Sequence, residues 1–255
     1  MIILATGANA SYMPKITAYL NSIKLNSDFD RNMLVYVGNE QLPSVDIECY
    51  RLRHEAIGAP SPNFCMQHGD WLNADGLQVE DTDVVVFTDG DMFVQRGLND
   101  KERSALNNLK DGDIMVGANQ FEGQTLLQEA HNLGFTGKPW AGMQDEKTWR
   151  TPVFNTGCIA ANVATWRKLY NQYKSQWQEF AGCFQHYAKQ QWLMSYLINT
   201  GGYSLKKMQY TFHLHNHGSA MPSGSFWSVG KNALTYNGET VLFRHFTNNG
   251  ANYPI

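Results

Sequence analysis

The sequence predicts an α/β protein whose mostly parallel central sheet is flanked by helices within a single domain. Strand, helix and strand follow one another within the first 38 residues, and this β-α-β unit is the building block of parallel sheets. Residues 84–87, Val-Val-Val-Phe, form a continuous apolar run, as is typical of a central strand buried on both faces. No linker rich in Ser, Pro and Gly divides the 255 residues, so we expect one domain over 1–255.

Composition and charge exclude several classes of protein. With 43% apolar residues, 22 Gly and 8 Pro, the chain is not expected to be disordered, collagenous or coiled-coil. The net charge is −3 and the only adjacent Lys pair is Lys206-Lys207, so we expect no nucleic-acid partner. No apolar run approaches the ~18 residues of a transmembrane segment, and no export signal is recognisable. The four Cys form no CxxC pair, and we expect reduced thiols in a cytoplasmic protein.

The first elements follow from hydrophobic periodicity. A strand covers Ile2 to Ala5 and leads into the small residues Thr6-Gly7-Ala8-Asn9. A helix comes next, because Pro14 suits a first turn and one helical face is apolar. That face consists of Ile16, Tyr19, Leu20 and Ile23. The next predicted elements are strands at 33–37 and 45–53 and a weak helix at 62–75.

The later elements are read in the same way. Asn99 and Glu102 have the spacing of a helix N-cap with a reciprocal acidic residue, which predicts a helix to about residue 110. Residues 119–150 are rich in Gly without a clear period, which is typical of a functional loop. The remaining predicted elements are strands at 114–116, 153–160 and 241–245, a helix with Trp166, Leu169, Tyr170 and Tyr173 on one face, and a helix at about 183–198.

Asp89-Gly90-Asp91 directly follows the central apolar strand. Ligands of open α/β sheets bind outside the carboxyl ends of strands, and carboxylates two residues apart point to the same side of an extended backbone. Two hard oxygen ligands suit Mg²⁺ or Mn²⁺ that arrives with a diphosphate. The alternative is an ordinary strand-to-turn junction in which Asp provides turn chemistry.

The junction from Thr6 to Tyr12 is a second candidate site. Its small residues leave backbone N–H groups free near a helix N-terminus, where anions and nucleotides bind. The junction does not read GxGxxG, so a dinucleotide fingerprint is absent. Tyr12 can stack on a base, and the alternative is a plain connection with Tyr12 packed.

Histidines make the third group of candidates. His245 closes the last strand, and a neutral imidazole can complete a carboxylate metal site. His213, His215 and His217 share a face if they lie on a strand, and such a run can ligate zinc. The alternative is a polar cleft wall that contacts phosphate or sugar.

Together these motifs resemble a GT-A glycosyltransferase, and most closely glycosyltransferase family eight. That family comprises retaining hexosyltransferases and includes glycogenin and bacterial lipopolysaccharide galactosyltransferases. The motifs that carry the resemblance are the N-terminal strand and loop leading to Tyr12, the Asp-x-Asp pair, Phe154-Asn155-x-Gly157 before a Trp-containing helix, and His245-Phe246-Thr247. The resemblance covers nearly the whole chain. It implies a Rossmann-like GT-A catalytic domain that uses Mn²⁺ or Mg²⁺ to move a sugar from a nucleotide-diphosphate donor, a UDP-sugar, to a glycan or other hydroxyl acceptor with retention.

The resemblance also assigns roles to individual residues. Metal binding falls to Asp89, Asp91 and His245, and the catalytic set to Gln191, Asn155 and Asp91. The nucleotide-binding set is Thr6, Gly7, Ala8, Asn9, Tyr12 and Asp89. The donor and acceptor sugars are assigned to Gly157, Gln190, His215, Asn216 and Trp227.

The chain departs from the family pattern at two points. Gln190 and Trp192 replace the acidic residues that flank the family's central Gln, which Gln191 matches. The family's phosphate-binding Lys after the metal His is missing, and Arg244, Lys15 or a His of 213–217 is a candidate replacement. The short C-terminus also fits a catalytic domain cut from a longer chain.

Two other functions fit parts of the pattern. The missing Lys fits a non-catalytic nucleotide-sugar binding protein of the same fold. A phosphohydrolase of the haloacid dehalogenase type also carries an acidic pair after an apolar strand, but there the pair closes the first strand. Acceptor contacts are expected from 119–150 and 218–232. Aromatic residues there either stack on sugars or merely pack, namely Trp140, Trp149, Phe226 and Trp227.

Overall fold

A computed structural model describes most of the chain. The described residues are 1–10, 13–38, 41, 44–52, 71–72, 77–117, 123–135, 146–184, 189–215, 227–229 and 233–246. The helices are α1 (Met13–Asn26), α2 (Asp100–Asn107), α3 (Leu126–Asn132), α4 (Glu146–Trp149), α5 (Val163–Ala181) and α6 (Lys189–Thr200). The strands are β1 (Ile2–Ala8), β2 (Arg31–Val37), β3 (Glu48–Leu52), β4 (Val84–Thr88), β5 (Met92–Val94), β6 (Asp113–Gly117), β7 (Asn155–Asn162), β8 (Ser204–Lys207), β9 (His213–His215), β10 (Trp227–Val229), β11 (Leu234–Tyr236), β12 (Glu239–Thr240) and β13 (Phe243–His245).

The central sheet has seven strands in the order β3-β2-β1-β4-β7-β6-β8. Strand β7 is antiparallel to both of its neighbours, and the other pairings are parallel. The predicted α/β class with a mostly parallel central sheet is therefore confirmed, and this sheet is compatible with a Rossmann-like fold. The strand order reverses between β1 and β4, and such a switch point is where α/β proteins bind ligands.

The predicted helices form for the reasons that the sequence indicates. The apolar face of α1 is buried, including Ile16 and Tyr19. Asn99 and Glu102 form the reciprocal capping box that starts α2, although this helix ends at Asn107 rather than near 110. In α5, the Asn162 side chain accepts a hydrogen bond from the Thr165 backbone N–H and caps the helix. The residues predicted on one face of α5 are all buried, namely Trp166, Leu169, Tyr170 and Tyr173.

Two expectations about irregular segments are wrong. The run Thr6-Gly7-Ala8 belongs to β1 and is not a loop, because all three residues pair with β2 and Thr6 also pairs with Thr88 of β4. Within the Gly-rich stretch 119–150, helices α3 and α4 form, and a capping box of Thr125 and Gln128 starts α3. The predicted strand at 153–160 begins at Asn155 and runs to Asn162. The predicted helix at 62–75 lies outside the described residues apart from 71–72.

A small three-stranded sheet, β5-β13-β9, lies at the end of β4. Strand β13 is antiparallel to β5 and parallel to β9. The Arg96 guanidinium anchors this sheet, because it donates hydrogen bonds to both Glu102 carboxylate oxygens at 2.7 and 2.8 Å and to the Thr211 and Thr240 carbonyls. A further small sheet has the order β10-β11-β12.

Within the described part of the chain, no helix has the length and apolar character needed to cross a membrane. Cys49, Cys158 and Cys183 are free thiols, as the sequence predicts, and Cys65 lies outside the described residues.

Candidate metal centre

The acidic pair lies in the turn between β4 and β5, at the carboxyl end of the central strand. Backbone hydrogen bonds hold both residues. The Asp89 N–H donates to the Gly157 carbonyl at 2.8 Å, and the Asp91 carbonyl accepts from the Phe246 N–H at 2.9 Å. These bonds connect the turn to β7 on one side and to the end of β13 on the other.

Gly90 brings this turn against the end of β1. A Cβ at Gly90 would lie 3.5 Å from the Gly7 carbonyl oxygen and 3.2 Å from Cδ1 of Ile16 in α1. The acidic pair therefore borders the switch point between β1 and β4. This is the position at which ligands bind in open α/β sheets.

His245 reaches the acidic pair from the small sheet. Strand β13 pairs with β5 so that His245 is opposite Met92, the residue after Asp91. Nε2 of His245 lies 3.1 Å from Oδ1 of Asp91. One ligand atom from each of Asp89, Asp91 and His245 can be chosen so that all three lie within 4.8 Å of one another. His245 is buried, whereas both aspartates are partly exposed.

The carboxylates dominate the electrostatics of this cluster. Burial alone lowers the pKa of His245, but the negative charges of Asp91 and Asp89 outweigh burial and raise it above its ordinary value. Burial raises the pKa of the Cys158 thiol, and the nearby charge of Asp89 raises it further. Negative potential is therefore concentrated where a cation can be accepted.

Gly157 provides the space into which the site residues pack. A Cβ at this position would lie 2.6 Å from Cε1 of His245, 2.9 Å from Oδ2 of Asp89 and 2.9 Å from Oδ1 of Asn155. The Asn155 amide oxygen is oriented by a hydrogen bond from the Gly157 N–H at 2.9 Å. The structure thus brings Asn155 and Gly157 together with the acidic pair. These three neighbours leave no space for a side chain at position 157, which accounts for the glycine there.

A second buried histidine, His213, contacts the nitrogen of His245 that does not face Asp91. Nε2 of His213 and Nδ1 of His245 are 3.1 Å apart, and both side chains are buried. A Cβ at Gly117, in the last position of β6, would lie 2.5 Å from Nδ1 of His213. Burial, followed by the proximity of His245, lowers the pKa of His213 well below its ordinary value. From sequence, His213 is a candidate for a zinc run, a polar cleft wall or the replacement of the missing Lys, and no local pattern indicates its contacts with His245 and Gly117.

The predicted catalytic glutamine lies at the start of α6. Gln191 is partly exposed, and its carbonyl accepts a hydrogen bond from the Ser195 hydroxyl at 2.7 Å. The same hydroxyl accepts from the Phe154 N–H at 2.9 Å, which ties the first turn of α6 to the residue before Asn155. Gln190 is buried.

The aromatic residues near α6 are packing residues. The Trp192 indole donates to the Leu126 carbonyl at 2.7 Å, and its ring stacks with those of Phe180 and Tyr196. Trp149 packs edge-on against Trp192 with ring centroids 5.8 Å apart. Trp149 therefore belongs to an aromatic cluster and stays partly exposed, and its stacking on a sugar stays a prediction.

The residues predicted to bind the nucleotide lie in and just after β1. Thr6 and Ala8 are fully buried within β1, and the Thr6 hydroxyl donates to the Thr88 carbonyl. Gly7 and Asn9 lie at the end of β1, where the Asn9 carbonyl accepts from the Met13 N–H at the start of α1. The part that they play in nucleotide binding stays a prediction.

Several predicted residues lie outside what the structure describes. Tyr12, Asn216 and His217 are among them, as are Trp140 and Phe226. The backbones of His215 and Trp227 belong to β9 and β10, but their side chains are outside the described set, as is that of Lys15.

Arg244 packs over the ring of Phe246. It precedes His245 in β13, and strand alternation directs neighbouring side chains to opposite faces. Its guanidinium carbon lies 4.7 Å from the centroid of the Phe246 ring. The role of Arg244 as a replacement for the family's Lys stays a prediction.

No protein-family model matches the chain, and no curated protein matches it. The chemistry of the site must therefore indicate the function. Its donor set is two carboxylates and one imidazole, which suits Mn²⁺ or Mg²⁺ with coordination positions left for a substrate.

Proposed function

We propose that the protein is a metal-dependent glycosyltransferase of the GT-A type. It transfers a sugar from a nucleotide-diphosphate donor, a UDP-sugar, to a hydroxyl group of a glycan or other acceptor with retention of configuration. The observation that carries this proposal is the convergence of Asp89, Asp91 and His245 beside the β1/β4 switch point. The carboxylates come from the turn between β4 and β5 and the imidazole comes from β13, far along the chain, which supports a built site rather than an acidic turn.

The distances support a divalent cation. Two ligands that lie about 2.1 Å from one ion and at right angles are about 3 Å apart. The 3.1 Å between Nε2 of His245 and Oδ1 of Asp91 agrees with such a pair. Since Asp89 and Asp91 are partly exposed, diphosphate oxygens can reach the remaining coordination positions.

The bound cation supplies Lewis-acid stabilisation of the charge that develops on the leaving diphosphate. The residues of the chain position the donor for this step. Asp89, Asp91 and His245 would hold the cation beside the switch point, and a nucleotide bound through that cation would lie near the end of β1. The amide oxygen of Asn155 and a carboxylate oxygen of Asp89 would both lie 2.9 Å from a Cβ at Gly157, so both groups border the same small space.

We propose a front-face route for the transfer. The bond between the anomeric carbon and the diphosphate oxygen breaks, and the acceptor oxygen bonds to the same face of the sugar. The acceptor proton passes to the departing diphosphate. We assign to the Gln191 side chain the role of steadying the oxocarbenium-like charge. In support, the Ser195 hydroxyl bridges the Gln191 carbonyl and the N–H of Phe154, the residue before Asn155.

A thermal-shift panel of nucleotide sugars, with and without Mn²⁺, tests the proposal. A ligand at 100 times its Kd adds about 2.7 kcal/mol to the free energy of unfolding. We expect a Mn²⁺-dependent shift with a UDP-sugar, its loss in Asp91→Ala, and UDP release from the same donor. A shift without release would identify a non-catalytic binding protein. Phosphate release from a monoester without any nucleotide-sugar shift would identify a phosphohydrolase.

A further inference from the structure

The His213–His245 pair is buried and forms across two parallel strands. His213 lies opposite Phe243 in the register of β9 with β13, so its side chain crosses to His245 two residues further along. Their facing nitrogens, Nε2 of His213 and Nδ1 of His245, are 3.1 Å apart. His213 and His245 are buried, with relative solvent exposures of 3% and 4%.

The two nitrogens of His245 face different partners. Nε2 faces Asp91, which leaves Nδ1 for His213. To bind a cation, Nε2 must present a lone pair, so the ring proton must be on Nδ1 and needs an acceptor. In the His213–His245 pair, the lone pair on Nε2 of His213 is the acceptor for that proton.

We infer that His213 is a positioning residue of the metal centre, which holds His245 in the Nδ1–H tautomer and directs its Nε2 at the cation. The inference rests on the cation site of the proposed function. It makes His213 the hydrogen-bond partner of the proposed metal ligand His245, and not a ligand in a zinc site with His215 and His217.

The backbone on the far side of His213 supports this role. Gly117 leaves the space that the ring occupies, just as Gly157 leaves the space for His245. Each imidazole that enters from the small sheet therefore meets a glycine of the central sheet. An apolar side chain would fill the same space without the desolvation cost of a buried imidazole.

Mn²⁺ affinity, measured by electron paramagnetic resonance, tests the inference. His213→Leu removes the acceptor, and we expect Mn²⁺ to bind about 10–100-fold more weakly. His213→Gln keeps an amide oxygen at a similar reach, and we expect it to restore most of the affinity. The nitrogen coupling to Mn²⁺ from His245 should be lost or altered in His213→Leu and present in His213→Gln.

Two further variants separate positioning from stability. In Gly117→Ala, the added Cβ displaces the His213 ring, so affinity should fall although both histidines remain. Phe212→Leu is the matched control, because Phe212 is buried beside His213 but packs on Phe243 with ring centroids 5.6 Å apart. We expect this control to lose stability and keep Mn²⁺ affinity.

The outcomes distinguish the inference from the proposed function. Wild-type affinity in both His213→Leu and Gly117→Ala would overturn the role of His213 while leaving the cation site intact. An equal loss in Phe212→Leu would also overturn it, because general packing would explain the effect. If the wild type binds no Mn²⁺, the proposed cation site is wrong, and the role of His213 in metal binding is wrong as well.

Discussion

Replacing Gly157 with alanine adds one methyl group at the most crowded point of the metal centre. The new Cβ would lie 2.6 Å from Cε1 of His245 and 2.9 Å from Oδ2 of Asp89, whereas ordinary contact begins at 3.4 Å. His245 must therefore move by about 0.8 Å and Asp89 by about 0.5 Å, whereas ligand distances in metal sites vary by only about 0.2 Å. We expect Mn²⁺ to bind at least about 10-fold more weakly. The overpacking should also reduce the free energy of unfolding by about 1–3 kcal/mol.

Calorimetric Mn²⁺ titration and urea unfolding of the same preparations measure the two effects separately. Gly201→Ala is the matched control, because its Cβ would lie 2.5 Å from Cε2 of Tyr203 and 2.6 Å from the Leu197 carbonyl oxygen. That clash is just past the end of α6, at the opposite end from Gln191. We expect the control to lose stability and to bind Mn²⁺ normally. Undiminished Mn²⁺ binding by Gly157→Ala would refute the placement of the ligands around this glycine.

Three further predictions concern catalysis, helix capping and thiol chemistry. Gln191→Ala should lower the rate of UDP release by about 10²-fold without changing Mn²⁺ affinity, and unchanged turnover would rule out its catalytic role. Asn162→Ala removes the N-cap of α5, so urea unfolding should show a loss of about 1 kcal/mol, and an unchanged midpoint would contradict the capping bond. Burial raises the pKa of Cys49 to about 11, with Arg51 opposing it, so its thiolate forms only at high pH. The rate of Cys49 alkylation, followed by peptide mass spectrometry, should still rise above pH ~10, whereas a plateau near pH ~9 would indicate an ordinary thiol.

Local patterns in the sequence predict the elements that depend on neighbouring residues. The apolar face of α1 and the capping box at Asn99 depend on spacings of three to four residues, and both are present in the structure. The box that starts α3, Thr125 with Gln128, has the same spacing. The glycines around it favour a loop, and this signal conflicts with the box. Gly7 and Ala8 have low strand propensity, so the sequence ends the first strand too early, whereas pairing with β2 extends it to Ala8.

The site itself was only partly predictable. Asp89 and Asp91 are recognisable from the strand before them, but their contact with His245 requires β13 to pair with β5. The pairing of His213 with His245 depends further on the register of β9 with β13, which no local pattern specifies. The same aromatic residue types stack on bound sugars at exposed sites and pack against one another in buried clusters. The sequence therefore cannot distinguish the two uses at Trp149, and the structure places it in a packed cluster.

Release of UDP from UDP-sugars, with and without Mn²⁺, is the most direct test of the central claim. The matched variant is Asp91→Asn, which keeps the shape of the side chain and removes the charge that faces His245. We expect Mn²⁺-dependent release by the wild type and a fall of at least about 10²-fold in Asp91→Asn. Release that needs neither Mn²⁺ nor the charge of Asp91, or no release from any nucleotide sugar, would contradict it.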